Sequence, residues 1–252
     1  MASPTNPLKI AVQAGTLLKG IWLCMGSQIA AEIAGHAGFD WCLIDGEHAP
    51  YDPTNIRAQL IALAGTPAHA MVRVPVAEDW ILKQMLDIGA QNLLVPMVNT
   101  ADQARHIVSA TRYPLQGHRG MGADIARVSG FGATPNYAAT ANDNICLFVQ
   151  AESVQAIDNL EEICDVQGVD GVFIGPADLA CDMGYRDQMG HPDVVQLIGQ
   201  AIARITASGK TAGIISASAT DRARYVEQGV TFLGMGAEVS ILARGLRALA
   251  AE

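Results

Sequence analysis

Short apolar runs alternate with longer amphipathic stretches along the whole chain. The runs are rich in Val, Ile and Leu and are shorter than most helices, so they predict strands that are buried on both faces. The stretches between them, such as VVQLIGQAIARITASG, have the period of amphipathic helices, and several end in a Gly that favours a helix terminus. Eight apolar runs occur, at residues 20–26, 39–45, 70–74, 92–97, 145–152, 169–175, 212–216 and 230–236.

Eight alternating strand and helix units predict a closed parallel barrel, because right-handed helical crossovers bring successive strands side by side. A (β/α)8 or TIM barrel takes about 250 residues, and this chain has 252. We therefore predict one α/β barrel domain over residues 1–252. The irregular stretch at 113–144 is rich in Gly, Pro and Asn and follows the fourth predicted strand, so we predict that it is an active-site loop.

Composition and charge argue against several classes of function. Half of the residues are hydrophobic and 16% are charged, which is typical of a globular protein. The net charge of -9 argues against binding to nucleic acid. No apolar run approaches the roughly 18 residues of a transmembrane helix, and the N-terminus lacks the apolar core of a secretory signal. We predict a cytoplasmic protein with no nucleic-acid or membrane partner.

Ionisable residues gather where the predicted strands end, which is where barrel enzymes carry their catalytic groups. The clearest case is WCLIDGEHAP at 41–50, in which three ionisable groups follow an apolar strand within four positions. Such groups are costly beside a core unless they pair, bind an ion or take part in chemistry. Four separate segments contribute to the set, which comprises Asp45, Glu47, His48, Arg73, Gln150, Glu152 and Asp178.

Two acids of this set, Glu152 and Asp178, are candidate ligands of a hard divalent cation such as Mg2+ or Mn2+, which prefers carboxylate oxygens. The alternative is that both acids only cap the helices that follow their strands. In IGPADLA, Gly175 and Pro176 predict a helix start. Its free N–H groups, at Ala177 and Asp178, could bind a carboxylate or phosphate, or could simply belong to a good helix start.

The remaining members of the set suggest acid–base and electrostatic roles. Arg73 interrupts an apolar strand, so it must meet an anion, either a structural partner such as Glu47 or an oxyanion formed in a reaction. His48 oriented by Asp45 can serve as a general base, although a lone histidine is often structural. No lysine ends a predicted strand, which argues against a Schiff-base mechanism. Carbon–carbon chemistry would therefore need a metal as the electrophile.

Several long motifs span nearly the whole chain, among them GIWLCMGS, AGFDWCLIDGEHAP, TRYPLQGHRGMG and VDGVFIGPADLACDMGY. With these motifs the chain resembles the HpcH/HpaI aldolase family of metal-dependent, class II pyruvate aldolases, and within it the members that cleave 4-hydroxy-2-oxoheptanedioate. The resemblance implies a barrel of the phosphoenolpyruvate/pyruvate type. It also implies reversible cleavage of a 4-hydroxy-2-oxo acid to pyruvate and an aldehyde, with Mg2+, Mn2+ or Co2+ as cofactor, in the catabolism of aromatic compounds.

The resemblance also implies roles for particular residues. Glu152 and Asp178 correspond to the family's metal ligands. His48 corresponds to its base, oriented by Asp45, and Arg73 to the arginine that stabilises the oxyanion.

Further residues of the family's site have counterparts in this chain. Gln150 lies against the bound pyruvate, and the backbone of residues 175–178 holds the pyruvate carboxylate. Apart from the resemblance, we predict that Glu47, which follows the same strand as Asp45, belongs to the catalytic group. Family members are homohexamers, built as trimers of dimers, in which Asp87 of a neighbouring subunit reaches the site. An isolated subunit would then have an incomplete site.

The loop at 113–144 bears on the choice of substrate. Arg127 is available to bind a distal carboxylate, whereas the small, uncharged GFGAT stretch is compatible with a shorter or neutral aldehyde. Three other functions stay open. One is a lyase that acts on CoA thioesters of the malyl-CoA or citramalyl-CoA type, another is an enzyme that handles phosphoenolpyruvate, and the third is a metal-binding or assembly protein without activity.

Overall fold

Residues 5–252, which the computed structural model describes, form a closed barrel of eight parallel strands. Each strand pairs with the next along the chain, and the last pairs with the first. The predicted (β/α)8 fold is confirmed, and the ends of all eight predicted strands are correct to within three residues. The strands are β1 (Leu18–Leu23), β2 (Trp41–Asp45), β3 (His69–Arg73), β4 (Asn92–Val95), β5 (Cys146–Ala151), β6 (Gly171–Ile174), β7 (Thr211–Ile215) and β8 (Phe232–Ala237).

Helices connect the strands and cover the outside of the barrel. Several begin after a polar residue whose side chain accepts a backbone N–H, as Ser27 and Thr100 do. Within the described residues, no helix has the length and apolar character needed to cross a membrane. The helices are α1 (Pro7–Gln13), α2 (Gln28–His36), α3 (Pro53–Leu63), α4 (Asp79–Asp87), α5 (Ala101–Thr111), α6 (Tyr137–Ala141), α7 (Val154–Asp158), α8 (Leu160–Cys164), α9 (Pro176–Asp182), α10 (Pro192–Ala207), α11 (Ala219–Glu227) and α12 (Glu238–Leu249).

Alternation along each strand sends one set of side chains into the barrel and the other toward the helices. In β2, Trp41 and Leu43 belong to the cluster inside the barrel, whereas Cys42 and Ile44 belong to the layer under the helices. The next inward position of β2 is Asp45, at the C-terminal end of the strand. The register that fills the barrel with apolar side chains therefore also delivers a charged group to its mouth, which we call the rim.

The half of the barrel interior where the strands begin is filled by aromatic rings. Trp41 stacks on Phe232 with their ring centroids 4.2 Å apart. Gly20 leaves room for this packing, because a Cβ at that position would lie 1.9 Å from the Trp41 ring. Leu8 and Val12 of α1 pack against the same cluster. The interior of the barrel is therefore filled at this end.

The segment at 113–144 lies between α5 and β5, so it approaches the barrel from the end where the strands begin. Its contacts agree with this placement: Asn6, next to α1, donates to the backbone carbonyl of Asn144, and Arg127 donates to the carbonyl of Ile88 after α4. The segment does not begin at the rim of its own chain, so the prediction that it is an active-site loop is wrong for the site of the same chain. The segment follows the helix after β4 rather than the strand itself, and a helix returns the chain to the opposite end.

Candidate active site

Arg73 holds two carboxylates at the rim. Its Nε and Nη2 donate to the two oxygens of Asp45 at 2.8 and 2.7 Å, and its Nη1 lies 2.7 Å from Glu47 Oε2. The register of β2 and β3 puts Asp45 opposite Arg73. Burial alone would raise the pKa of Asp45, but the hydrogen bonds and charge of Arg73 lower it below its ordinary value. Arg73 lies in an otherwise apolar strand and therefore needs an anionic partner. It has two, Asp45 and Glu47.

Hydrogen bonds continue from Arg73 to Glu152. Arg73 Nη1 lies 3.5 Å from Gln150 Oε1, and Gln150 Nε2 donates to Glu152 Oε2 at 2.6 Å. The backbone N–H of Met97 donates to the other carboxylate oxygen at 2.7 Å. Met97 has φ 56°, which is uncommon for a residue with a side chain. The corner after β4 therefore adopts a costly conformation that places an N–H group on Glu152.

Glu152 faces the first turn of α9. A Cβ on Gly175 would lie 2.4 Å from Glu152 Oε2, so this approach requires glycine. Pro176, Ala177 and Asp178 form the first turn of the helix, and the last two are exposed at the rim. Burial, together with the negative charge of Asp178, raises the pKa of Glu152 to about 7.

The side chains around Glu152 suit a hard divalent cation. Glu152 and Asp178 offer carboxylate oxygens, the ligands that Mg2+ and Mn2+ prefer. Arg73 lies between Asp45 and Glu47 and only partly offsets the raised pKa of Glu152. A divalent cation would favour the ionised form of Glu152 in the same way, with a larger charge. The residues present therefore fit the metal that the family resemblance implies.

His48 lies at the outer edge of the rim, with its side chain 66% exposed. Asp45 Oδ1 accepts the backbone N–H groups of Glu47 and His48 at 3.1 and 3.4 Å. Nε2 of the His48 ring is 3.9 Å from Glu47 Oε2. The prediction that Asp45 orients the imidazole is wrong in this detail. Asp45 holds the turn that carries His48, because both of its oxygens are bound to Arg73.

Asp87 and Arg127 lie away from the rim of their own chain. Asp87 ends α4 and pairs with Arg119 at 2.5 Å. Arg127 lines a cavity with Asn92, at the start of β4. For Asp87, a role in the site of a neighbouring subunit stays a prediction. The prediction that Arg127 binds a distal carboxylate is wrong for the site of the same chain, because the segment that carries Arg127 runs along the opposite end of the barrel.

The comparisons with known proteins agree with this geometry. Residues 18–244 match the model of the family described as HpcH/HpaI aldolase/citrate lyase. The chain belongs to the HpcH/HpaI aldolase family. A relative, a hydroxypyruvate/pyruvate aldolase from Agrobacterium fabrum, is 53% identical over 252 residues, which are 100% of this chain and 95% of that protein.

Two further relatives of this aldolase extend the comparison. A 2-keto-3-deoxy-L-rhamnonate aldolase from Escherichia coli is 47% identical over 96% of this chain and 91% of that protein. The crystal structure of an HpcH/HpaI aldolase/citrate lyase family protein from Burkholderia cenocepacia has a TM-score of 0.95 and 38% identity over 98% of both chains. The chain is therefore an enzyme, a lyase of the class II pyruvate aldolase type, as the motifs predicted.

Residues outside the predicted set also shape the rim of this aldolase. Glu238 Oε1 accepts the backbone N–H groups of Cys24 and Met25 at 2.6 and 2.8 Å, which fixes the turn after β1. The sulfur of Cys24 lies 3.8 Å from Asp45 Oδ2. A signal for Glu238 was present, because this acid follows the eighth strand as the other candidates follow theirs. The sequence holds no such signal for Met97, which contributes only a backbone N–H.

Proposed function

We propose that this aldolase catalyses the reversible, metal-dependent cleavage of a 4-hydroxy-2-oxo acid to an aldehyde and a 2-oxo acid, either pyruvate or hydroxypyruvate. The observation that carries the proposal is the hydrogen-bonded row from Asp45 through Arg73 and Gln150 to Glu152. The guanidinium of Arg73 and two carboxylates that suit a divalent cation, those of Glu152 and Asp178, lie at the same rim. Retro-aldol cleavage develops negative charge on a keto oxygen, and both groups favour that charge.

Arg73 is placed to stabilise the developing charge without moving. Its side chain is only 8% exposed, and Asp45 binds its Nε and Nη2. Nη1 lies 2.7 Å from Glu47 Oε2 and 3.5 Å from Gln150 Oε1, and we assign it to the developing oxyanion. A charge fixed in a water-poor site acts more strongly than one in water and needs no reorganisation during the reaction.

Glu152 and Asp178 would hold Mg2+, Mn2+ or Co2+, which would act as a Lewis acid toward the keto group. Met97 and Gln150 fix both oxygens of Glu152 for this purpose. The N–H groups of Ala177 and Asp178 lie in the first turn of α9, where a helix has no internal acceptors for them. We assign these groups to the substrate carboxylate, as the family resemblance implies.

His48 would accept the proton of the C4 hydroxyl. The C3–C4 bond then breaks, the aldehyde leaves, and the bonding electrons remain on the 2-oxo acid as an enolate, which is protonated at C3. The exposed ring of His48 is free to turn toward the substrate. His48→Ala should lower turnover while the fold stays intact, and unchanged turnover would remove His48 from the mechanism.

A neutral aldehyde is favoured over one that carries a carboxylate. In its own chain, Arg127 donates to the carbonyl of Ile88 at the opposite end of the barrel, so it would meet the distal carboxylate of 4-hydroxy-2-oxoheptanedioate only in the site of a neighbouring subunit. The relative from Agrobacterium fabrum is named for two 2-oxo acids, hydroxypyruvate and pyruvate. Both carry the carboxylate and keto oxygens that this rim would bind.

Assembly into a homohexamer, a trimer of dimers, belongs to the same proposal, as do a cytoplasmic location and the contribution of Asp87 from a neighbouring subunit. The outer face of α12 supports self-association. No residue of this helix is buried in the single chain. Its exposed apolar side chains border a groove with Ile29 and Ile33 of α2. An apolar surface of this kind commonly marks a protein–protein contact.

Release of the 2-oxo acid tests the proposal directly. Chelator-treated enzyme is supplied with a short neutral 4-hydroxy-2-oxo acid or with 4-hydroxy-2-oxoheptanedioate, before and after addition of Mg2+, Mn2+ or Co2+. Pyruvate is followed with lactate dehydrogenase. We expect release only with metal, and a larger kcat/KM for the neutral substrate. Release without metal would overturn the mechanism.

The other functions left open by the sequence have separate assays. Cleavage of malyl-CoA would indicate a CoA-ester lyase, and release of phosphate from phosphoenolpyruvate would indicate the second alternative. Either activity, in the absence of pyruvate release from both 4-hydroxy-2-oxo acids, would replace the proposed function.

A further inference from the structure

Asp79, His106 and His118 bring three metal-ligating side chains together on the outer surface of the protein. Asp79 Oδ1 lies 2.7 Å from His106 Nε2, and Asp79 Oδ2 lies 2.9 Å from His118 Nε2. One potential ligand atom of each residue lies within 4.8 Å of the other two. Asp79 begins α4, His106 lies in α5, and His118 lies in the segment after α5. Three separate parts of the chain therefore converge on one point of the surface.

Ser109 holds His118 in two ways. Its carbonyl accepts the His118 backbone N–H at 2.9 Å, and its hydroxyl lies 2.8 Å from His118 Nδ1. A hydroxyl can donate or accept, so it pairs with Nδ1 in either tautomer of the ring. When Nδ1 carries the proton, the lone pair of Nε2 faces Asp79. Histidines that bind metals commonly have such a partner on their second ring nitrogen, and it fixes the orientation of the ring.

The backbone around His118 is packed against the end of α5. A Cβ on Gly117 would lie 2.2 Å from the Ser109 carbonyl oxygen and 2.6 Å from that of Arg112, so only glycine fits there. On the other side, the Arg119 N–H donates to the Arg112 carbonyl at 2.8 Å. The imidazole of His118 therefore extends from a fixed backbone, which lowers the entropy that binding a ligand would cost.

We propose that Asp79, His106 and His118 bind a divalent transition-metal ion such as Zn2+ through one carboxylate oxygen and two imidazole Nε2 atoms. Imidazole suits Zn2+, Co2+, Ni2+ and Cu2+, whereas the carboxylates of the rim suit Mg2+ and Mn2+. Ligand atoms around tetrahedral zinc lie about 3.4 Å apart, and one ligand atom from each of the three residues already lies within 4.8 Å of the other two. Water completes the coordination, because all three side chains are about half exposed.

A metal ion at this point connects α4, α5 and the segment that follows α5. His118 is followed by Arg119, which pairs with Asp87 at the far end of α4. The ion therefore fastens the start of the 113–144 segment to the two helices beneath it. Its effect falls on thermal stability rather than on turnover, because the side-chain hydrogen bonds of the three ligands run to one another and to Ser109 and not to the charged groups of the rim.

Hydrogen bonds alone offer another account of the same cluster. Asp79 lies in the first turn of α4, where a carboxylate stabilises a helix by itself. Two imidazoles that donate to this carboxylate would hold the three parts of the chain together without an ion. The two accounts differ in one measurable respect, since only a metal site gains stability from added Zn2+.

Zinc stoichiometry tests the proposal. Binding of Zn2+ to chelator-treated, full-length protein is measured by competition with a chromophoric chelator, for the wild type and for the His106→Gln/His118→Gln double variant. The rim contributes equally to both proteins. We expect the wild type to bind one more Zn2+ per chain than the double variant. His36→Gln, which removes an exposed histidine from α2, should match the wild type.

Two further readouts separate a metal site from hydrogen bonds. With Cu2+ bound, the electron paramagnetic resonance spectrum of the wild type should show two coordinated imidazoles, and the spectrum of the double variant should lack them. Zn2+ should raise the melting temperature of the wild type and of His36→Gln more than that of the double variant. Ser109→Ala keeps both ligands, and we expect it to weaken Zn2+ binding by about tenfold. Equal stoichiometry and equal thermal shifts in the wild type and double variant would overturn the proposal.

Discussion

The two ends of the barrel interior belong to the same eight strands and are built in opposite ways. Where the strands begin, the rings of Trp41, Phe148 and Phe232 pack together and fill the interior. Where the strands end, Asp45, Arg73 and Glu152 are buried as well, but they are polar. Burial of the apolar rings at the first end stabilises the folded state. Burial of the charged groups at the second end destabilises it unless those groups are paired.

The residues that stabilise the barrel interior and the candidate catalytic residues therefore lie at opposite ends of the barrel. The packed rings of Trp41, Phe148 and Phe232 carry no charge that would have to be paired. At the rim, burial is the main cause of the raised pKa of Glu152. Ionising this buried acid without a bound cation therefore costs stability, which is typical of a group placed for function. Changes at the aromatic end should therefore alter stability without altering chemistry. Changes at the rim should alter chemistry, and stability as well where they remove a buried charge or one of its partners.

The largest effect should come from Glu152→Gln. Loss of a metal ligand should lower kcat/KM by at least about ten-thousandfold, which corresponds to about 5 kcal/mol of transition-state stabilisation. Steady-state kinetics with saturating metal would measure this loss. Glu162→Gln, which changes the same side chain on the outside of α8, is the control and should retain full activity. A Glu152 variant that is still activated by the same metal concentration would show that Glu152 is not a ligand.

The same variant should reveal what the site costs in stability. Because burial raises the pKa of Glu152 from 4.5 to about 7, the folded state of the metal-free protein holds this proton more tightly than the unfolded state does. The wild type should therefore lose stability as pH rises from about 4.5 to 7, by up to about 3 kcal/mol. Glu152→Gln should lack this loss. Urea unfolding at pH 5 and pH 8 in the presence of a chelator measures the difference, and identical pH profiles would contradict it.

A large effect on stability should come from Phe232→Ala at the aromatic end. Removing a ring that stacks on Trp41 leaves a cavity and should lower the free energy of unfolding by about 4 kcal/mol. Because the rim is untouched, kcat well below the melting temperature should stay near the wild-type value. Phe131→Ala, at a site that is 63% exposed, is the matched control. A loss of kcat in the folded Phe232 variant would show that the two ends are coupled.

The sequence predicts those features of this architecture that neighbouring residues determine, and predicts less well those that depend on contacts between distant parts of the chain. The alternation in WCLID places Asp45 at the rim, because a period of two is a local property of a strand. The same reasoning predicts positions for Arg73, Gln150 and Glu152. Asp178 follows from the turn after β6, which is also local.

Features that depend on packing were predicted less well. The pair between Asp45 and Arg73 joins two strands, whereas the sequence suggests His48, three positions after Asp45, as the partner of this acid. The sequence predicts the segment at 113–144 at the rim of its own chain, whereas it begins at the opposite end, because its place depends on where α5 ends. His106 and His118 are 12 positions apart and meet only through the fold of α5 and the chain after it.

A moderate effect should come from Asp45→Asn, which breaks the doubly hydrogen-bonded pair with Arg73. We expect a loss of about 2 kcal/mol in the free energy of unfolding, less than for a buried charge with no other partner, because Glu47 still pairs with Arg73. Turnover should fall as well, since Arg73 is no longer held in place. Denaturant unfolding and kcat would measure both effects.

Glu47→Gln tests the order of these two ion pairs. Asp45 binds Arg73 through two hydrogen bonds, whereas Glu47 makes one contact and is more exposed. The loss of stability should therefore be smaller for Glu47→Gln than for Asp45→Asn. The reverse order would show that Glu47 is the main partner of Arg73.

The smallest effect should come from Met97, where the rim uses the backbone alone. A left-handed conformation costs a residue with a side chain about 1 kcal/mol, and glycine avoids this cost while losing entropy in the unfolded chain. Met97→Gly should therefore change stability by less than about 1 kcal/mol and keep its N–H on Glu152, with kcat near the wild-type value. Met97→Ile adds a β-branched side chain at the same φ, so it should lower both stability and kcat. If both variants lose kcat equally, the side chain of Met97, and not its N–H, is what the site requires.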